Sequence, residues 1–177
     1  MKIDGYSLLA TVNCAEKPSA IEGELRKSAF TFGLGIIENE YALKDYLHGE
    51  ALLDPYISGA DAAGLCASIT VRLPDGRTQK SVETPRSAAG PDLRFLILGS
   101  GFNGGTIEEC ALRIRHLPEK HMAATYIAKD LKTAIDTLRI RVQNFNAPAW
   151  LRLTLPGDSE QARLSFGFEG ASQLCEG

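Results

Sequence analysis

Between Pro85 and Glu119 the chain reads PRSAAGPDLRFLILGSGFNGGTIEECALRIRHLPE, and the end of that stretch leaves few options for the fold. Cys110, Leu112 and Ile114 alternate with Ala111, Arg113 and Arg115. A period of two over this length predicts a half-buried strand. Just before it lies Gly99-Ser100-Gly101-Phe102-Asn103-Gly104-Gly105, itself preceded by the apolar run Leu93 to Leu98. Glycines at this density let the backbone take positive φ and come close to something flat or anionic. The loop matches no standard phosphate cradle. No GxGxxG opens a helix, because a strand follows, and no Lys-Ser/Thr completes a P-loop.

Other alternating runs place this strand in a sheet. Leu65, Ala67, Ile69, Val71 and Leu73 are predicted to point inward, with Cys66, Ser68, Thr70 and Arg72 outward. Pro74-Asp75-Gly76 turns the chain, and Thr78, Lys80 and Val82 run back as a hairpin. Tyr6 to Val12 reads as a strand. Pro18 and Ser19 open a helix with Ile21 and Leu25 inside and Glu22, Glu24, Arg26 and Lys27 outside. Phe30 and Phe32 alternate into a Gly33-Leu34-Gly35 turn, and Glu40 to Leu47 reads as a short amphipathic helix. Asp54 to Gly59 is loop.

After Pro118 the pattern changes. His121 to Ala128 is a strand, and Asp130 begins a helix with Leu131, Ile135, Leu138 and Val142 on one face. Trp150 to Leu155 is a strand, Pro156 to Ser159 turns, and Leu164, Phe166 and Phe168 return. The order β-α-β-β is the first two-thirds of a ferredoxin-like βαββαβ unit. The chain is therefore expected to be α+β, with one domain over residues 1–119 and a partial ferredoxin-like unit over 120–177.

With 177 residues, 44% of them hydrophobic, the chain has material for one ordinary core or two small ones. A formal charge of -3 and a pI near 5.6 exclude a basic stripe for nucleic acid or anionic membrane. Cys14, Cys66, Cys110 and Cys175 form no CxxC pair and read as buried free thiols. The apolar run Tyr6 to Val12 is too short for an export signal, and nothing approaches a membrane span. A reduced, cytoplasmic setting is expected.

No catalytic constellation is visible. His48, His116 and His121 stand in separate contexts, and the last two flank Pro118 without a third metal ligand. Glu38/Glu40 and Glu108/Glu109 read as solvated or capping carboxylates. No GxSxG elbow accompanies the serines. Trp150 reads as a core or interface aromatic.

The order Pro-Arg, Gly-Pro-Asp-Leu, Leu-Gly-Ser, Gly, Ile-x-Glu and Arg-Ile-Arg-x-x-Pro-Glu resembles the FAD-linked oxidases of the vanillyl-alcohol-oxidase type. The nearest groups are the alkyl-dihydroxyacetone-phosphate synthases, D-lactate dehydrogenases and glycolate oxidase subunits. The match is gapless from Pro85 to Glu119 and extends more weakly from Tyr6 to about Leu174. It implies the second part of a PCMH-type FAD-binding domain, a mixed or antiparallel sheet with flanking helices, leading into the start of a cap domain. It also implies that Gly99, Ser100, Gly104, Gly105, Thr106, Ile107 and Glu109 lie beside the cofactor.

Three departures bear on that site. Phe102 stands where the family has glycine, and Glu108 stands where it has threonine, adding a carboxylate that would repel flavin phosphates if it faced them. Glu40 to Leu47 replaces a Gly-Gly segment. Neither the family's pyrophosphate-binding loop nor its catalytic half-cap lies in this sequence. The resemblance therefore implies an oxidase-like protein without a complete FAD site, a structural partner of itself or of another oxidase subunit. Two alternatives stand beside it: a FAD-dependent oxidoreductase whose pocket a second chain completes, and a small-ligand-binding or assembly module.

Overall fold

The computed structural model describes residues 1–33, 41–49, 62–82, 92–99, 104–143, 148–155 and 161–170. They fall into two compact units, Met1–Leu117 and Pro118–Gly177. No helix among the described residues is long and apolar enough to cross a membrane.

The first unit is built on a five-stranded antiparallel sheet. Its strands are β1 (Lys2–Asp4), β2 (Leu9–Asn13), β4 (Cys66–Arg72), β5 (Thr78–Lys80) and β6 (Thr106–Arg113), in the order β1-β2-β6-β4-β5. A two-stranded ribbon pairs β3 (Phe30–Thr31) with β7 (Arg115–His116). The helices are α1 (Pro18–Lys27), α2 (Leu43–His48), α3 (Ala62–Leu65) and α4 (Leu93–Ile97). The glycine-flanked run thus supplies the middle strand, β6. Ile107, Cys110 and Leu112 of β6 share one core with Ala10 and Val12, Ile69 and Val71, Ile21 and Leu25 of α1, Leu43 and Leu47 of α2, and Ile97 of α4. Removing each large aliphatic side chain from water stabilises the fold by about 2 kcal/mol.

Sequence alternation is broken where β4 meets β6. Cys66 pairs with Leu112 but Ser68 pairs with Ala111, so Ala67 is an extra residue. The bulge returns Cys66 to the core face, where it is fully buried, and sends Ala67 to a second small cluster with Leu9 and Ala111. Cys66 and Ser68, expected outside, are both buried, and so is Ala111. A second irregularity pairs Thr70 with Glu109 and Val71 with Ile107, leaving Glu108 as the extra residue.

The predicted first strand starts later than its apolar run. Tyr6 is fully exposed in a turn whose backbone N–H groups at Tyr6 and Ser7 donate to Asp4 Oδ1 (3.0 and 3.1 Å). That Asx-type turn lets Lys2–Asp4 pair with Leu9–Thr11 instead. Glu22, expected on the outer face of α1, is 6% exposed. Its carboxylate accepts from Thr31 Oγ1 (2.6 Å), Arg26 Nε (2.8 Å) and the Phe32 N–H (3.2 Å), so three donors offset its desolvation and fasten α1 to β3. The run Leu93 to Leu98 forms α4, capped by Asp92, whose side chain accepts from the Arg94 N–H (3.0 Å). Arg94 in turn donates to the Cys66 carbonyl (2.5 Å), tying α4 to the start of β4.

The second unit contains β8 (Lys120–Ala128), α5 (Leu131–Gln143), β9 (Trp150–Thr154) and β10 (Ala162–Gly170). Its antiparallel sheet has the order β8-β10-β9. Asp130 caps α5 by accepting from the Thr133 N–H (2.7 Å). The contact between helix and sheet is made by Ala128, Ala134 and Ala162, with Leu153 against them. Leu131 and Ile135, expected on the inner face of α5, remain 39% and 40% exposed. The small alanines seat the helix instead, one step round from the predicted stripe. The predicted Pro156 to Ser159 turn lies outside the described residues, as does the side chain of Val142.

Candidate functional site

The polar end of β2 meets the first turn of α2 beside the start of β6. Asn13 closes β2, and the Cys14 N–H donates to the Glu108 carbonyl (2.8 Å). The N–H groups of Leu43 and Lys44 donate to the carbonyls of Glu16 and Cys14 (both 2.9 Å), docking α2 on the chain that leaves β2. From the far end of α2, buried His48 accepts at Nε2 from the Ile107 N–H (3.5 Å). This is a histidine satisfied inside the fold and occupied with holding β6.

These contacts leave a cavity of about 450 Å³ walled by Asn13 and Ala15, by Lys44, by Thr70, and by Thr106 to Glu109. The bulge at Glu108 decides its charge. Glu108 is ion-paired with Arg72 of the neighbouring strand, so the carboxylate that departs from the family pattern is neutralised. Lys44 and Glu109 are the other ionisable groups of the wall.

Of the residues expected at a cofactor, Thr106, Ile107 and Glu109 line this cavity together. Ile107 is 1% exposed, and its side chain belongs to the core. Gly105 has another reason to be glycine: a Cβ there would lie 2.7 Å from both the Arg72 carbonyl oxygen and Val71 Cγ1. Gly99 takes φ +69° and donates its N–H to the Leu47 carbonyl (2.8 Å). Gly104 precedes β6 and is half-buried. Ser100, with Gly101, Phe102 and Asn103, lies outside the described residues. Sequence reasoning missed Asn13, Lys44 and Thr70. Asn13 falls just past the strand expected over Tyr6 to Val12, and no spacing links residues that far apart in the chain.

The thiols of Cys14, Cys66 and Cys110 are free and buried. Diagonal register across β2, β6 and β4 brings them together on the core face. Hydrogen bonds with Cys14 and Cys66, and then burial, push the Cys110 thiol well above its ordinary range. His116 stacks on Phe30 with ring centroids 5.0 Å apart, and His121 Nδ1 pairs with Glu169 (3.2 Å). Among the described residues no group of three or more His, Cys, Asp or Glu could hold a metal ion.

No family model matches the chain. Among curated proteins, an uncharacterized FAD-linked oxidoreductase, YgcU, of Escherichia coli (strain K12) is 27% identical over 164 residues, covering 91% of this chain and 34% of that protein. The alkyldihydroxyacetonephosphate synthase of Caenorhabditis elegans is 25% identical over 153 residues, covering 85% and 26%. The mitochondrial D-lactate dehydrogenase [cytochrome] of Arabidopsis thaliana is 33% identical over 127 residues, covering 59% and 22%. The chain thus spans about a third or less of the length of these relatives. A solved alkyldihydroxyacetonephosphate synthase superposes with a TM-score of 0.78 at 16% identity, over 99% of this chain and 37% of that one, so the two share a fold.

Proposed function

We propose, from the premise that this chain is a relative of the FAD-linked oxidoreductases, that it forms one wall of a flavin cleft and needs further protein to complete it. In this reading the first unit is the second part of a PCMH-type FAD-binding domain. The second unit, with its β-α-β-β order, is the beginning of a ferredoxin-like cap.

The observation that carries the reading is the cavity where Asn13, Lys44, Thr70, Thr106 and Glu109 converge on the middle of the sheet. Its volume of about 450 Å³ falls within the range of small-molecule sites. Its wall decides which part of FAD it suits. One ammonium, Lys44, stands against the carboxylates of Glu108 and Glu109, and the former already has Arg72. A diphosphate calls for converging N–H donors and net positive charge, and among the described lining residues two carboxylates outnumber the one ammonium. The Asn13 amide and the hydroxyls of Thr70 and Thr106 suit a neutral partner, such as a ribityl chain or the polar edge of a flavin ring. A bound flavin would bring the redox chemistry; these residues would bind and orient it.

The test is a fluorescence titration of the purified chain with riboflavin and with FAD. Riboflavin and FAD should bind weakly and with similar affinity, and Thr106→Trp, which fills the cavity, should abolish both. The reading is overturned if flavin stays bound through purification at one per chain, if FAD binds more than about tenfold tighter than riboflavin, or if neither ligand binds.

A further inference from the structure

Three side chains of the cavity wall stand in one row across the sheet. Asn13 of β2 pairs directly with Glu109 of β6, and Glu109 pairs on its other side with Thr70 of β4. Opposed residues of an antiparallel pair point to the same face, so all three share the face that lines the cavity. The hydrogen-bonding sense of each follows from its surroundings or its chemistry. The Ala15 N–H donates to Asn13 Oδ1 (2.8 Å), so the oxygen of that amide is taken and its NH2 group remains as donor. Glu108 is engaged by Arg72, which leaves Glu109 as the wall's available carboxylate, and an ionised carboxylate only accepts. The Thr70 hydroxyl can donate on the far side of it. From β2 to β4 the row therefore reads donor, acceptor, donor.

We infer that this row recognises a cyclic imide, the carbonyl–NH–carbonyl edge of the flavin's pyrimidine ring, with Glu109 on the imide N–H and Asn13 and Thr70 on the carbonyls either side. The inference rests on the flavin reading and deepens it, because it selects the ring edge over the ribityl chain as the part this wall holds.

The match is one of pattern and of span. An imide edge presents acceptor, donor, acceptor, the complement of the row. Neighbouring strands lie about 4.8 Å apart, so the two donors belong to strands about 10 Å apart. The outward lone pairs of the two carbonyls splay to either side, toward donors set wider than the edge itself, while the N–H would meet the middle strand. A ribityl hydroxyl both donates and accepts, so it would fit any row and gains nothing from this one. The neighbouring rows do not offer the pattern. In one, Thr11, Ala111 and Ser68 lie abreast, but Ala111 and Ser68 are only 1% and 2% exposed. In the other, Thr106 lies beside Arg72, whose guanidinium is taken by Glu108. The strands hold the row in place before any ligand arrives, which favours a rigid planar edge over a flexible chain.

The test is a fluorescence titration of the purified chain with lumiflavin, which keeps the ring and lacks the ribityl chain, and with its N3-methyl derivative. Lumiflavin should bind within about threefold of riboflavin. Methylation at N3 should weaken binding about tenfold or more, since it removes the donor and leaves Glu109 facing a methyl group. That comparison needs no variant. In Glu109→Ala the methyl penalty should vanish, a change that a purely structural role for Glu109 would not produce. Asn13→Asp keeps the oxygen that holds Ala15 and replaces the donor by an acceptor, so lumiflavin affinity should fall about tenfold. Circular dichroism should show both variants folded. Equal binding of lumiflavin and its N3-methyl derivative overturns the inference and leaves the flavin reading standing, as does riboflavin binding without lumiflavin binding. A methyl penalty that persists in Glu109→Ala also overturns the inference. Absence of binding by all of these flavins overturns both.

Discussion

The guanidinium of Arg72 is ion-paired with the carboxylate of Glu108, the extra residue of the β6 bulge, at the wall of the cavity. The bulge and the pair act together: one points the carboxylate at its neighbour strand, and the other removes its net charge from the site. Arg72→Ala should therefore lower FAD affinity about three- to tenfold and riboflavin affinity less, because only FAD carries phosphates for the exposed charge to repel. Adding Glu108→Thr should bring the affinity back. Both groups are partly exposed, so denaturant melts should show a stability change below about 1 kcal/mol. Fluorescence titration of the single and double variants checks the order.

Glu22 holds α1 to β3 through a carboxylate that accepts from Thr31, Arg26 and the Phe32 N–H. Glu22→Ala should cost about 3 kcal/mol, because it leaves buried donors without an acceptor. Glu22→Gln keeps one acceptor oxygen and should cost about 1 kcal/mol. Urea unfolding curves with unchanged slope would measure both.

Two glycines should respond to alanine in different ways. At Gly105 the added Cβ meets the backbone of β4, which cannot move without breaking the sheet, so Gly105→Ala should cost about 2 kcal/mol. At Gly167 it would overlap the indole of Trp150, its cross-strand partner. The chain has 1 tryptophan, so displacement of that ring should shift the protein's emission to longer wavelength. Emission spectra of Gly167→Ala and Gly105→Ala separate the two mechanisms, since only the first should change the folded-state spectrum.

The Cys110 thiol is held neutral by hydrogen bonds with Cys14 and Cys66 and by burial, whereas in the unfolded chain it ionises freely. A folded-state pKa raised above the unfolded one gives stability that is complete below about pH 8.5 and declines as pH rises beyond it. The decline attributable to this thiol should approach about 1.4 kcal/mol per pH unit until its folded pKa is reached. Chemical unfolding of the chain and of Cys110→Ala between neutral and alkaline pH should show the variant with the shallower loss. In a Cys175→Ser background the remaining thiols should resist a thiol reagent until the chain unfolds.

The sequence determined most of the local structure and the kinship. Period two from Leu65 to Leu73, with Pro74-Asp75-Gly76 after it, is enough to give β4, the turn and β5, because pleat and turn chemistry act over a few residues. Pro18, Ile21 and Leu25 likewise suffice for α1. The β-α-β-β order after Pro118 was also legible, as was the resemblance to FAD-linked oxidoreductases. Only the tertiary structure decided where alternation fails. The bulges at Ala67 and Glu108 exist because β4 must match β6 across the sheet, and neither strand carries that information alone. It also decided that Glu22 is buried and that Asn13, Lys44 and Thr70 share a wall with Thr106. Those relationships depend on segments tens of residues apart being packed together, and a periodicity read along one strand has no term for the strand beside it.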